Sequence, residues 1–205
     1  DWTEKVHRMQ RKGGKQMKEY TVRRVSEGLS PEGEDWLQIT PLFVDCFPWP
    51  AFTERIATSV RVVSTAFGLL VHFETDERPL FARTQVCEDS CMEFFFRTED
   101  TQKYINLEVN PVGVVHAGFD RTLIPVGAKQ LRLVSCITPE KWILQYEVPF
   151  SLIKTYFGSV GACLYANFYK CGDKTSHPHY ACWNPVGGDR PNFHQPEAFG
   201  KLLLV

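Results

Sequence analysis

The residues best suited to chemistry lie in the tract 165–205 and on two strand-like segments before it. The tract holds three histidines, one tryptophan and two cysteines between strand-like ends. A loop of this length is uncommon in a compact domain and is usually functional or disordered. Its aromatic content argues against disorder, which favours charged and polar composition. We therefore expect a catalytic, metal or binding site in this tract.

Zinc is the first chemistry to consider, because imidazoles and thiolates are its usual ligands. The spacing of the candidate ligands follows no CxxC or HxxxH pattern, which favours histidines that order the loop and reach a ligand from its rim. No GxSxG segment, and no cysteine with a well-spaced partner, marks a nucleophile. The candidate ligands are Cys171, His177, His179, Cys182 and His194.

A second set of polar residues alternates with apolar ones along the segments CMEFFFR and KYINLEVNPVGVV. The short connection RTEDTQK predicts a hairpin, which would place Glu93 beside Asn106 and Glu108. On a later segment, Asn167 and Tyr169 share one face of a predicted strand. Carboxylates, amides and rings suit a sugar, whose C–H faces stack and whose hydroxyls hydrogen-bond. A solvent-facing side of a sheet would alternate in the same way.

Two further functions use the same residues. Glu93 and Glu108 could be the carboxylate pair of a glycoside hydrolase, one as acid and one as base or nucleophile. A haem-binding sandwich with Met92 or a histidine on iron is a third hypothesis. Met92 falls on the apolar face of its predicted strand, which disfavours it. Binding without catalysis is the interpretation we favour over an enzyme.

The elements that must position these residues are short strands separated by turn signals. Eight to ten such strands predict an all-β fold, an antiparallel β-sandwich of two sheets with a jelly-roll-like arrangement. One or two short helices complete it, the clearest being PFSLIKTYFG between a proline and a glycine. We predict a basic N-terminal extension over residues 1–18 and a single β-sandwich domain over residues 19–205.

Charge and composition exclude several classes of function. Residues 1–24 carry eight basic and three acidic side chains, leaving 15 basic and 21 acidic ones in the mildly acidic body. This balance offers no basic stripe for nucleic acid. No segment predicts a transmembrane helix or a signal peptide. Seven cysteines without framework spacing are typical of reduced thiols in the cytoplasm, although a mature secreted form would look the same.

Several motifs, in order, resemble the carbohydrate-binding module family 9-like proteins, relatives of the sugar-binding domains attached to xylanases. The similarity covers residues 19–205 and rests on CEDSCMEFFF, YINLEVNPVG, NFYKCGDKTSHPHYACWNP and NFHQPEAFGKL. It implies a β-sandwich that binds a glycan chain end or short oligosaccharide without catalysis and supports polysaccharide breakdown. A saccharide is then the expected partner.

The resemblance also implies roles for individual residues. Glu93 matches the ligand-contacting acid, Asn106 or Glu108 a second polar contact, and Trp183 the C-terminal stacking tryptophan. The other stacking tryptophan falls at Val86 and Cys87, so the aromatic clamp is incomplete here. The resemblance further implies structural calcium, for which loop carboxylates could supply oxygens, namely Asp76, Glu77, Asp89 and Asp173. The full set of expected ligand-binding residues is Glu93, Asn106, Glu108, Asn167, Tyr169, His177, His179, Trp183 and His194.

Overall fold

The computed structural model describes residues 17–26 and 28–205. The predicted extension over residues 1–18 therefore lies outside the described residues, except for Met17 and Lys18. Lys18 is tied to the rest of the protein, because its N–H donates to Asn184 and its carbonyl accepts from Lys201.

Thirteen strands are present in the described part of the chain, more than the eight to ten expected. They are β1 (Glu19–Arg24), β2 (Leu42–Phe43), β3 (Thr58–Ser64), β4 (Gly68–Thr75), β5 (Cys91–Arg97), β6 (Ile105–Val109), β7 (Val115–Phe119), β8 (Thr122–Leu123), β9 (Val134–Ile137), β10 (Trp142–Pro149), β11 (Cys163–Gly172), β12 (His179–Cys182) and β13 (Gly200–Leu204). The predicted all-β class is confirmed.

One α-helix is present in the described residues, α1 (Phe150–Phe157), where the sequence predicts it. Pro149 precedes it, and Gly158 ends it with φ +81°, a left-handed conformation that glycine adopts without strain. Three short 3₁₀ helices lie in loops of the described ranges, at Glu34–Gln38, Val86–Glu88 and Pro196–Ala198.

The strands form one continuous hydrogen-bonded network, in the order β8-β7-β6-β5-β11-β13-β1-β3-β4-β10-β9, with β12 on β11 and β2 on β3. The strand β1 joins the two halves, because it pairs in parallel with β13 and then with β3. The network curls over a shared core, in which the Phe73 ring of β4 meets the Phe168 ring of β11 at 5.8 Å.

The strand β5 shows how alternation positions the polar residues. Its Met92, Phe94 and Phe96 are buried in the main core between the two halves of the network. Cys91 and Phe95 point the other way, into a second cluster beneath the C-terminal tract. Successive side chains of a strand point to opposite faces, so Glu93 belongs to this second face, as the sequence predicts.

Candidate functional site

The strands β5 and β6 bring the two predicted acids together. Their register places Glu93 directly opposite Glu108, and Phe95 opposite Asn106. Cross-strand neighbours of this kind hold their Cβ atoms about 4.5–5.5 Å apart. On the other side of β5, β11 places Tyr169 opposite Glu93 and Cys171 opposite Cys91. The hairpin expected from RTEDTQK is confirmed.

An open cleft of about 160 Å³ lies over this face of the sheet. Glu93 and Glu108 line it from the sheet, and Asp173 and Tyr180 line it from the segment around β12. The remaining lining residues are Cys87, Cys171, Pro191, Asn192, Phe193 and His194. The cleft thus lies between the β5–β6 hairpin and the end of the C-terminal tract.

The cleft is acidic. Burial raises the pKa of the Glu93 carboxyl well above its ordinary value, and the neighbouring Glu108 raises it further. Burial likewise raises the pKa of Glu108, against the opposing effects of His116 and the Asn106 amide. None of Glu93, Glu108 and Asp173 forms an ion pair with another described residue. The cleft therefore holds hydrogen-bonding capacity that the rest of the protein does not use.

A second groove, of about 320 Å³, adjoins the cleft and shares Asn192 and His194 with it. Asn106, His116, Gly118, Arg121 and Leu123 complete its lining. The register between β6 and β7 explains why residues of both strands line the same groove. Gly118 lies opposite Asn106, and His116 lies opposite Glu108. The two grooves form one continuous polar surface across three strands.

Asn106 has an unsatisfied hydrogen-bonding atom. Its amide donates to Glu108 at 2.9 Å, while its Oδ1 is buried without a partner among the described residues. A Cβ on Gly118 would lie 2.5 Å from this oxygen, so glycine makes room for it. Buried acceptors are nearly always paired, and one without a partner beside a groove is suited to a ligand donor.

Aromatic contacts order the rim of the cleft. The Phe193 ring stacks on Tyr169 at 4.2 Å, and the Tyr169 hydroxyl donates to the Phe193 carbonyl at 3.0 Å. His194 meets the Tyr104 hydroxyl at 2.6 Å. Trp49 donates to the Gly188 carbonyl and touches the Phe193 ring. The rim is thus held in place rather than left as a mobile loop.

The structure brings four of the nine predicted residues to the cleft and groove: Glu93, Asn106, Glu108 and His194. Tyr169 lies beneath them and is fully buried. Asn167 is also fully buried, and its side chain hydrogen-bonds the backbone at Asn184 and Phe168. His177 is exposed beside Ser176 and does not line the cleft.

Trp183 and His179 lie away from the cleft. The Trp183 ring is 3% exposed and packs against Phe168 in the main core, on the opposite face of β11 from Tyr169. A buried ring offers no face for a sugar to stack on. His179 is buried beside Lys170, where burial and the lysine charge lower its pKa to about 4.

The predicted metal ligands do not converge in the described part of the chain. The four candidate calcium carboxylates have separate partners: Asp76 accepts from Ala57, Glu77 from Ser90, Asp89 from Thr84, and Asp173 lines the cleft. Structural calcium therefore stays a prediction without a common position. Among the described residues, the one group of at least three His, Cys, Asp or Glu side chains with converging ligand atoms is Cys91, Glu93 and Cys171. Met92 is fully buried in the core.

The sequence analysis does not predict several of the residues that line the cleft and the groove. The β6–β7 hairpin carries a usable signal in the turn residues Pro111 and Gly113, since its register places His116 and Gly118 opposite Glu108 and Asn106. Asp173 and Asn192 carry none, because their positions depend on how a long irregular segment folds back. The tract also contains β12, paired with β11, where the sequence predicts a loop.

The fold is a curled, mainly antiparallel β-network, and three carboxyl groups line its cleft. Residues 31–204 match carbohydrate-binding family 9, and the chain belongs to this family. No curated protein gives a significant match. Among the described residues, no helix combines the length and apolar character needed to cross a bilayer.

Solved structures with the same fold include one from Bacteroides uniformis, named as a candidate carbohydrate-binding protein. It has 28% identity and a TM-score of 0.78, over 93% of this chain and 100% of that one. A family 9 module from Caldicellulosiruptor kristjanssonii in complex with glucose has 14% identity and a TM-score of 0.70, over 92% and 96%. The complex of a family 9 module from the same organism with cellotriose has 13% identity and a TM-score of 0.69, over 91% of this chain and 93% of that one.

Proposed function

We propose that this protein binds the end of a glycan chain or a short oligosaccharide, without catalysis, in the cleft and the adjoining groove. Membership of carbohydrate-binding family 9 supports this function. The relatives in complex with glucose and cellotriose share the fold and supply the first saccharides to test. Such binding would serve polysaccharide breakdown.

The unpaired Oδ1 of Asn106 is the observation that carries the assignment. It lies in a surface that also carries the carboxyl groups of Glu93, Glu108 and Asp173. Sugar hydroxyls are donors that occur in adjacent pairs and can satisfy several such acceptors at once. A buried acceptor left without a partner costs about 1–3 kcal/mol, which a ligand donor would recover.

Family membership favours binding over hydrolysis, because the relatives in complex with glucose and cellotriose are named as carbohydrate-binding modules. Burial raises the pKa of both Glu93 and Glu108. We assign both residues to ligand binding and none to catalysis.

We also propose that the curled network is a two-sheet sandwich with jelly-roll-like character over residues 19–205. Under this proposal β1 crosses from one sheet to the other, which its split pairing with β13 and β3 supports. The cleft then lies on the outer face of the sheet that contains β5, β6 and β11.

Calorimetric titration with glucose, cellobiose, cellotriose and xylose tests this function. We expect heat of binding for at least one saccharide at millimolar concentration, and weaker binding by Glu108→Gln. The exposed Glu140→Gln on the β9–β10 turn is the matched control. Absence of binding for all four sugars contradicts the proposal, and release of reducing sugar from cellotriose contradicts its non-catalytic part.

A further inference from the structure

A cluster of two thiols and one carboxyl lies in the floor of the cleft. The ligand atoms of Cys91, Glu93 and Cys171 all lie within 4.8 Å of one another, and the three side chains are buried. The Cys171 thiol donates to Glu93 Oε1 at 3.1 Å. The Cys87 carbonyl lies 3.7 Å from the same sulfur.

The strand register holds this cluster in place. Cys91 and Cys171 are directly opposite each other on β5 and β11, and Glu93 follows two residues later on the same face of β5. Three donors on paired, buried strands need little ordering before they bind a common ion. A site built on strands is also more precise than one built on loops.

The carboxyl of Glu93 lacks strong partners. Its side chain is 3% exposed, and within the described residues the Cys171 thiol is the only hydrogen-bond donor to it. Thiols are weak donors, and buried carboxylates are normally paired or bound to metal. Glu108 and Asp173 line the same cleft and form no ion pair with any described residue. The Glu93 carboxyl therefore keeps an oxygen that a cation can bind.

We propose that Cys91, Glu93 and Cys171 form a binding site for a thiophilic divalent cation such as Zn²⁺, with one coordination position open to the cleft. Thiolate and carboxylate are both zinc ligands, at about 2.3 Å and about 2.0–2.2 Å from the metal. Ligand atoms at these distances around a tetrahedral ion lie roughly 3.3–3.8 Å apart. Cys171 Sγ and Glu93 Oε1 are 3.1 Å apart and every pair of the three ligand atoms lies within 4.8 Å, so side-chain shifts of about 1 Å or less reach this spacing.

The position of the cluster in the floor of the cleft supports a fourth coordination position that is open to the cleft. Glu93 and Cys171 both line the cleft, whereas Cys91 is fully buried behind them. A metal can therefore enter from the cleft and keep its fourth position toward it, for water or a ligand hydroxyl. Cys87 lines the same cleft and lies where the family resemblance implies a tryptophan. A thiol thus occupies the position at which the resemblance implies an aromatic ring.

Cobalt(II) is the probe for this site, because its thiolate complexes absorb in the near ultraviolet. The full chain is kept reduced and anaerobic, stripped of metal and titrated with Co²⁺ and then with Zn²⁺, in the absence of saccharide. We expect a thiolate–cobalt band that saturates at one equivalent and that Zn²⁺ displaces. Absence of the band in reduced protein overturns the proposal.

Cysteine variants locate the site. Cys91→Ser and Cys171→Ser should each weaken metal binding by more than about tenfold. Cys163→Ser, on the same strand β11 but outside the cluster, is the control and should leave binding unchanged. Retention of the band by both cluster variants, or its loss in the control, contradicts the assignment.

X-ray absorption of the zinc-loaded wild-type protein identifies the atoms bound to zinc. This test does not depend on whether a variant folds. Two sulfur neighbours per zinc at about 2.3 Å are expected. A shell of oxygen and nitrogen alone overturns the proposal. Because no sugar is present in either experiment, failure of the metal site and failure of saccharide binding are separate outcomes.

Discussion

Glu93 and Glu108 lie directly opposite each other on neighbouring antiparallel strands, and both carboxyl groups line the same cleft. Like charges opposite each other destabilise a sheet. Both residues are at most 4% exposed, so water screens their repulsion poorly. The protein keeps an unfavourable pair at this position, and a pair of acceptors for a ligand explains it.

The free energy of unfolding should depend on pH through the buried carboxyl pair Glu93 and Glu108. The folded-state pKa of Glu93 is raised above its unfolded value, so the folded state binds the extra proton more tightly. The resulting stability is fully present below the unfolded pKa of about 4.5 and is lost as pH rises through the folded value. We expect Glu93→Gln to gain free energy of unfolding relative to wild type as pH rises, measured by urea unfolding. An equal difference at every pH would contradict this.

The groove beside Asn106 offers a pair of matched variants. Asn106→Ala removes the unpaired oxygen, while Gly118→Ala keeps it but places a methyl group 2.5 Å from its present position. Each should weaken saccharide binding by about tenfold, or about 1.4 kcal/mol, within the range for one hydrogen bond. Calorimetry measures the change. Unaltered affinity in both variants would remove Asn106 from the binding site.

Trp183 should act as a core residue. Its ring is 3% exposed and packs on Phe168, so Trp183→Ala should cost about 3–5 kcal/mol of unfolding free energy. Trp183→Phe should cost less and leave saccharide affinity unchanged. Chemical unfolding and calorimetry on the same samples separate the two effects. Loss of affinity in a well-folded Trp183→Phe protein would support the stacking role that the resemblance implies.

The sequence predicts one side of the cleft better than the other. Period-two alternation and a short connection fix Glu93, Asn106 and Glu108 on one face of a hairpin, and the structure agrees. Trp183 lies just beyond β12, a strand inside a segment that looks like a loop. Because successive side chains alternate in direction, the unrecognised strand made the direction of the tryptophan unpredictable.

Long-range contacts set the rest of the site. Phe193 and His194 reach the cleft through contacts with Tyr169 and Tyr104, which lie 24 and 90 residues earlier in the chain. No local pattern encodes such pairings. The predicted site was therefore most reliable where neighbouring strands are also neighbours in sequence, as in the β5–β6 hairpin.

A buried ion pair beneath the cleft should contribute to stability through both partners. Lys170 Nζ lies 2.6 Å from Glu77 Oε2, with exposures of 0% and 3%. Lys170→Met leaves the buried Glu77 carboxylate without its cation, although Ser90 still donates to it, and should cost about 3–5 kcal/mol. The double variant Lys170→Met/Glu77→Gln should recover much of this loss. Urea unfolding measures both, and a double variant no more stable than the single one would contradict the pairing.

A crystal structure of the protein with cellotriose is the most direct test of saccharide binding in the cleft. The account predicts a sugar ring whose hydroxyls lie within hydrogen-bonding distance of Asn106 Oδ1 and the Glu108 carboxyl. His194 should lie at the edge of that ring. A sugar bound instead in the surface groove beside Trp183, between Lys18 and Lys201, or no bound sugar at saturating concentration, would contradict it.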